Sequence, residues 1–88
     1  MIFKSKSLGN ATAYFSIKRS VIEAAAQKGY RGNPLHLVRS TGSSKQEGAI
    51  AAIVAEVSFD FLPEHRSLIE LMARSAVLNC RQEGGTRG

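Results

Sequence analysis

The most apolar part of the chain is the stretch from Gly48 to Phe61, which fits two hydrophobic patterns. As a helix, it has one apolar face with the spacing i, i+3, i+4, i+7 and i+11, formed by Ile50, Ile53, Val54, Val57 and Phe61. As a strand, residues 56–61 alternate strictly between polar and apolar side chains. Because Val and Phe favour a pleated surface, we favour a strand, although the alanines of the first half are strong helix formers.

Alternation also predicts a β-hairpin over residues 1–19, with Gly9-Asn10 as its turn. Its core-facing residues are Ala13, Phe15 and Ile17, and its outward-facing residues are Thr12, Tyr14, Ser16 and Lys18. A helix is predicted to follow from Ser20, which forms a capping box with Glu23, and to end at Gly29 in a left-handed conformation. A competing interpretation starts this helix near Thr12, on the stripe Tyr14, Ile17, Val21 and Ala24.

The rest of the chain adds a short strand at Leu35–Arg39, a polar connection over residues 40–48 and a helix over residues 63–82 that begins at Pro63. The expected fold class is α+β, a small antiparallel sheet of three to four strands with two helices packed on one face, in the order β-β-α-β-β-α. Residues 1–83 are expected to form a single domain, and residues 84–88 a flexible C-terminal tail.

The charge of the chain is unevenly distributed. The net charge of the 88 residues is +5. Residues 1–45 carry eight basic side chains and one acidic one, whereas residues 46–88 carry four basic and six acidic ones. A basic half indicates a partner with negative charge, because Lys and Arg bind phosphates and an exposed Tyr stacks on a base. The candidate contact residues are Lys18, Arg19, Lys28, Arg31, Arg39, Lys45, Tyr14 and Tyr30.

Signals for catalysis or metal binding are weak. His36 and His65 lie 29 positions apart with no cysteine cluster, so we expect no metal site and no cofactor. One resemblance concerns residues 20–39, where a capped helix, Gly29, Tyr30 and a strand with His36 follow one another. This order is similar to the toxin ribonucleases of the HicA kind, and the resemblance implies that His36 acts as a general acid or base. The single Cys80 is expected to be a core residue.

We therefore expect a small non-enzymatic binding or regulatory protein, of the kind that phages and mobile elements encode, whose basic half docks on nucleic acid or on a nucleic-acid-handling complex. One alternative is a protein–protein inhibitor or adaptor without nucleic-acid contact, anchored by Tyr14 and Tyr30. A lower-ranked alternative is a ribonuclease that uses His36. A further alternative is a homodimer in which two copies pair through an exposed edge strand. The sequence contains no long apolar run and no secretory signal pattern, and one cysteine fits a cytoplasmic protein without membrane contact.

Overall fold

The computed structural model describes the backbone of residues 2–80 and the side chains of residues 12–80. It contains three helices, α1 (Ile2–Gln27), α2 (Ser44–Ser58) and α3 (Arg66–Leu78), with a 3₁₀ turn at Pro63–His65. Each helix packs against the other two, which makes a three-helix bundle. Residues 2–80 contain no β-strand, so the predicted α+β fold with its antiparallel sheet is wrong. The tail predicted at residues 84–88 lies outside the described residues.

The apolar stretch at Gly48–Phe61 is mostly helical, and the strand prediction for it is wrong. α2 begins with a capping box, in which Ser43 Oγ accepts the Gln46 N–H at 3.2 Å and Gln46 Oε1 accepts the Ser43 N–H at 2.8 Å. The buried side chains of α2 follow the helical spacing and are Ile50, Ile53, Val54 and Val57. The alternation over residues 56–61 crosses the end of the helix, where Phe59 is 90% exposed.

The N-terminal hairpin is also wrong, because α1 continues through Gly9-Asn10 and through the predicted capping box at Ser20 and Glu23. The side chains of α1 that enter the core have the spacing i, i+4, i+7 and i+8, and they are Ile17, Val21, Ala24 and Ala25. The competing helix from near Thr12 is thus the better of the two interpretations. The predicted end of the helix is confirmed, since Gly29 has a φ of +90°.

One cluster of buried side chains fills the space between the helices. Its largest fully buried members come from all three helices and include Ile17, Ile53, Ile69 and Met72. The start predicted at Pro63 for the last helix is confirmed, because Pro63 opens the 3₁₀ turn that leads into α3. The helix ends at Leu78 and not near residue 82 as predicted. The strand predicted at Leu35–Arg39 is wrong, since these residues belong to an irregular connection between α1 and α2.

Candidate functional site

Residues 28–43, here called the connection, join α1 to α2 and are held in place by the C-terminal half of α3. The Gly32 N–H donates to the Ala76 carbonyl at 3.0 Å. The Val38 N–H donates to Ser75 Oγ at 3.0 Å, and this fully buried hydroxyl donates to the Leu71 carbonyl at 2.8 Å. Backbone groups that would otherwise need water are therefore satisfied by α3.

Asn79 and Cys80, just after α3, bind the first half of the connection. The Asn79 side-chain amide donates to the carbonyls of Asn33 and His36, at 2.9 Å and 2.6 Å. Cys80 Sγ accepts the Arg31 N–H at 3.2 Å. These bonds fix the course of a segment that has no regular secondary structure. They therefore also fix the position of the Arg31 backbone.

Arg74 ties the second half of the connection to α2 and α3. Its guanidinium donates to both carboxylate oxygens of Glu47, at 2.7 Å and 3.1 Å, and to the Ser40 carbonyl at 2.9 Å. It also lies 3.4 Å from the Glu70 carboxylate. Hydrogen bonds from Arg74 and from the Gly42 N–H hold the pKa of Glu47 below its ordinary value. Arg74 and Glu47 therefore stabilise the fold, and each neutralises the charge of the other.

A different surface, on α1, combines free charge with an exposed aromatic ring. We call it the α1 face, and it consists of Thr12, Phe15, Ser16, Lys18, Arg19 and Ser20. All of these except Lys18 line a shallow groove of about 470 Å³. The surface exists because each helical residue is rotated by about 100° from the last, so the register that buries Ile17 and Val21 leaves the α1 face in solvent.

Phe15 is the centre of the α1 face. Its side chain is 59% exposed. Lys18 Nζ lies 5.4 Å from the centroid of the ring, and the Tyr14 ring meets it edge-on with centroids 5.6 Å apart and planes at 81°. This places an ammonium group, a guanidinium group and hydroxyl groups around an aromatic ring that solvent can reach.

The structure brings three of the sequence-predicted contact residues together on α1, namely Tyr14, Lys18 and Arg19. Two others, Arg31 and Arg39, lie on the connection, and Lys45 lies in the first turn of α2. All six of these side chains are exposed or half-buried.

The two remaining predicted contact residues, Lys28 and Tyr30, make contacts within the protein. Lys28 Nζ forms an ion pair with Glu56 of α2 at 3.1 Å. Tyr30 is only 8% exposed and belongs to the core cluster. Its side chain therefore contributes mainly to the core and offers little surface to a base or a protein partner.

Sequence reasoning missed Phe15, which was expected to face the core. In a strand, neighbouring residues point to opposite sides, so Tyr14 outward required Phe15 inward. In a helix they are only about 100° apart, and both rings reach solvent. The signal that predicts an exposed Phe15 is the helical stripe of Ile17, Val21 and Ala24. Position 15 does not lie on this buried face of the helix.

His36 does not have the setting that the ribonuclease resemblance implies. It is exposed and lies at a bend of the connection rather than on a strand. Its carbonyl accepts the Asn79 amide, and its N–H lies 3.4 Å from the Asn33 carbonyl. Within the described part of the chain, the structure shows no group of three or more His, Cys, Asp or Glu residues that could hold a metal ion.

Comparisons with protein-family models, with curated proteins and with solved structures find no match for this chain. Among the described residues, no helix has both the length and the apolar character needed to cross a membrane.

Proposed function

We propose that this is a small non-enzymatic protein that binds the backbone of nucleic acids through the α1 face. The observation that carries the proposal is the position of Lys18 and Arg19 beside the exposed ring of Phe15. Neither cation has an acidic partner within 4 Å among the described residues, so both charges are available to phosphate groups.

The distribution of ion pairs supports a basic contact surface. The carboxylates of Glu47 and Glu70 interact with Arg74, and that of Glu56 interacts with Lys28. Three of the six acidic residues in residues 12–80 thus have a Lys or Arg partner inside the protein. The basic residues without an acidic partner in residues 12–80 are Lys18, Arg19, Arg31, Arg39, Lys45 and Arg66.

Three hydroxyl groups add to the α1 face. Thr12, Ser16 and Ser20 lie at i, i+4 and i+8 on one side of the helix, about 6 Å apart along its axis. Ser and Thr hydroxyls commonly donate to phosphate oxygens, and such contacts orient the protein without reading the sequence. The α1 face is therefore expected to bind nucleic acids with little sequence preference.

The test is a fluorescence anisotropy titration of a labelled oligonucleotide at several salt concentrations. In the double variant Lys18→Gln/Arg19→Gln, affinity should fall at low salt. The slope of log K against log salt should shrink by about 1.4 to 1.8, which corresponds to two lost phosphate contacts. The matched control is Lys45→Gln/Arg66→Gln, which removes the same charge away from α1. Equal losses in the two double variants would show that net charge, and not the α1 face, drives binding.

A second candidate function, a protein–protein inhibitor or adaptor, is favoured by a different observation. Phe59 and Leu62, at the corner between α2 and α3, are 90% and 62% exposed. Large exposed apolar side chains are typical anchors of protein interfaces. If the wild type binds no DNA or RNA even at low salt, and a nuclease-treated pull-down recovers one stoichiometric protein that Phe59→Ser loses, this second function replaces the first.

A further inference from the structure

Building on the proposed function, we infer that the α1 face binds single-stranded nucleic acid and that Phe15 stacks on an unpaired base. The inference goes beyond backbone contact, because it names the form of the ligand and the residue that selects it. Phe15 is a large apolar side chain at 59% exposure in the middle of a basic surface, where charge alone would not require an aromatic ring.

The surroundings of the Phe15 ring suit a stacked base. Tyr14 packs on the ring at a plane angle of 81°, which restricts rotation of the side chain, and Phe15 nevertheless stays 59% exposed. Lys18 lies within cation–π distance of the same ring, at 5.4 Å from its centroid. A base stacked on Phe15 would place its own phosphate within the part of α1 that carries Lys18, Arg19 and the hydroxyls.

The form of the ligand follows from where bases are accessible. In a duplex, each base is already stacked on its neighbours, and a side chain can stack on it only after the step has been opened. In a single strand, the faces of the bases are free, and every base type has a π-face that an aromatic ring can cover. Phe15 therefore contributes to binding of a single strand and contributes little to binding of an intact duplex.

Glu23 sets one end of the binding surface. It is exposed and lies one helical turn beyond Arg19 on α1. Its carboxylate repels phosphates that extend past Arg19, so the strand is expected to follow α1 toward Thr12 and not toward Gln27. Positions 12 to 20 span about 12 Å of helix axis, which accommodates a few nucleotides.

The experiment compares labelled oligo(dT), oligo(U) and a DNA duplex of the same length by fluorescence anisotropy at one low salt concentration. The wild type should bind both single strands more tightly than the duplex. Phe15→Leu removes the π-face but keeps an exposed apolar helix former, and it should weaken binding of the single strands by about 5- to 150-fold. Its salt slope should stay that of the wild type, and duplex binding should not change.

Two control variants accompany Phe15→Leu. Phe59→Leu alters another highly exposed ring, which does not belong to the α1 face, and should bind single strands as the wild type does. Phe15→Trp keeps an aromatic face and should retain tight binding. A thermal melt of each variant checks that the bundle is intact. A loss on either oligo(dT) or oligo(U) supports the inference, and a larger loss on one of them shows on which single strand Phe15 stacks more strongly.

The outcomes separate this inference from the proposed function. Duplex binding that equals or exceeds single-strand binding, or a Phe15→Leu effect no larger than that of Phe59→Leu, overturns the stacking role. If Lys18→Gln/Arg19→Gln still weakens binding in that case, the proposed function stands. Failure of the wild type to bind any of the three probes overturns both.

Discussion

Gly32 lies where the connection crosses the last turn of α3, and the structure leaves no room there for a methyl group. A Cβ atom at this position would lie 2.6 Å from the Cys80 nitrogen and 2.8 Å from the Asn79 carbonyl carbon, and closer still to the Ala76 carbonyl oxygen. All three are backbone atoms, so no side-chain rotation relieves the clash. Gly32→Ala must therefore strain the crossing or lift the connection off α3.

Both routes lead to a similar loss of stability. Accommodating an extra methyl group in a tightly packed position costs about 1–3 kcal/mol. Lifting the connection instead breaks the bond from Gly32 to Ala76 and the two bonds from Asn79, at about 0.5–1.5 kcal/mol each. With a loss near 3 kcal/mol, the melting temperature of a domain of this size should fall by about 12–24 °C.

The assay is thermal and urea unfolding followed by circular dichroism, with Gly48→Ala as the matched control. Gly48 lies inside α2, and a Cβ there meets nothing within 4 Å. Since Gly in a helix interior is less favourable than Ala, Gly48→Ala should stabilise the protein by about 0.5–1 kcal/mol. The same substitution thus has opposite effects at the two sites. A Gly32→Ala variant that melts within a few degrees of the wild type would refute the close crossing.

Two further predictions concern the polar contacts of the connection. Ser75→Ala leaves the Val38 N–H without its acceptor, so stability should fall by about 1–3 kcal/mol and the Val38 amide should exchange faster with deuterium. The exposed serine Ser67 on the same helix provides a control whose change to Ala should do neither. Because the pKa of Glu47 is lowered in the folded protein, its contribution is present above the ordinary value of 4.5 and is lost as the pH falls through the folded value. Glu47→Gln should therefore be less stable than the wild type at neutral pH, and the two melting curves should converge in acid; a constant difference at all pH values would contradict the role of the ionised carboxylate.

The sequence contained enough information to identify α2, and the strand prediction for it was avoidable. The pattern Ser43-x-x-Gln46 just before an apolar run is a helix start signal, and it lies in the residues that were expected to be a polar connection. Ile50, Ile53, Val54 and Val57 also have the spacing of one helical face. The strand prediction rests on the alternation over residues 56–61. These residues cross the end of α2 and a tight corner, where alternating polar and apolar side chains do not require a strand.

α1 was harder to predict for a physical reason. Gly9-Asn10 and Ser20 favour a turn and a helix start locally, yet helices gain most of their stability from packing of an apolar face. The burial of Ile17 and Val21 against α2 and α3 overrides both local signals. In the helix, Lys18 and Arg19 lie on the surface, as the strand interpretation also predicted. Phe15, which the strand interpretation placed in the core, is exposed to solvent.

The contacts of the connection could not be predicted from the sequence. The bonds from Asn79 and Cys80 join residues that are 43 to 49 positions apart. No spacing rule relates such positions, because they meet only after α3 has packed on the bundle. The burial of Tyr30 has the same origin, since an aromatic residue after a helix-ending glycine is equally compatible with a surface position.

The bonds of the connection have a consequence for how the chain tolerates changes in length. Surface connections usually accept inserted residues, because few of their backbone groups are committed. Here the residues held by α3, Asn79 or Glu47 are never more than three positions apart between Gly32 and Gly42, so we expect an insertion anywhere in between to displace a bonded group. The corner at residues 59–62 has exposed side chains at Phe59, Asp60 and Leu62, and its backbone bonds join residues no more than three positions apart. We therefore expect a tag or a reporter domain to be tolerated better there than in the connection.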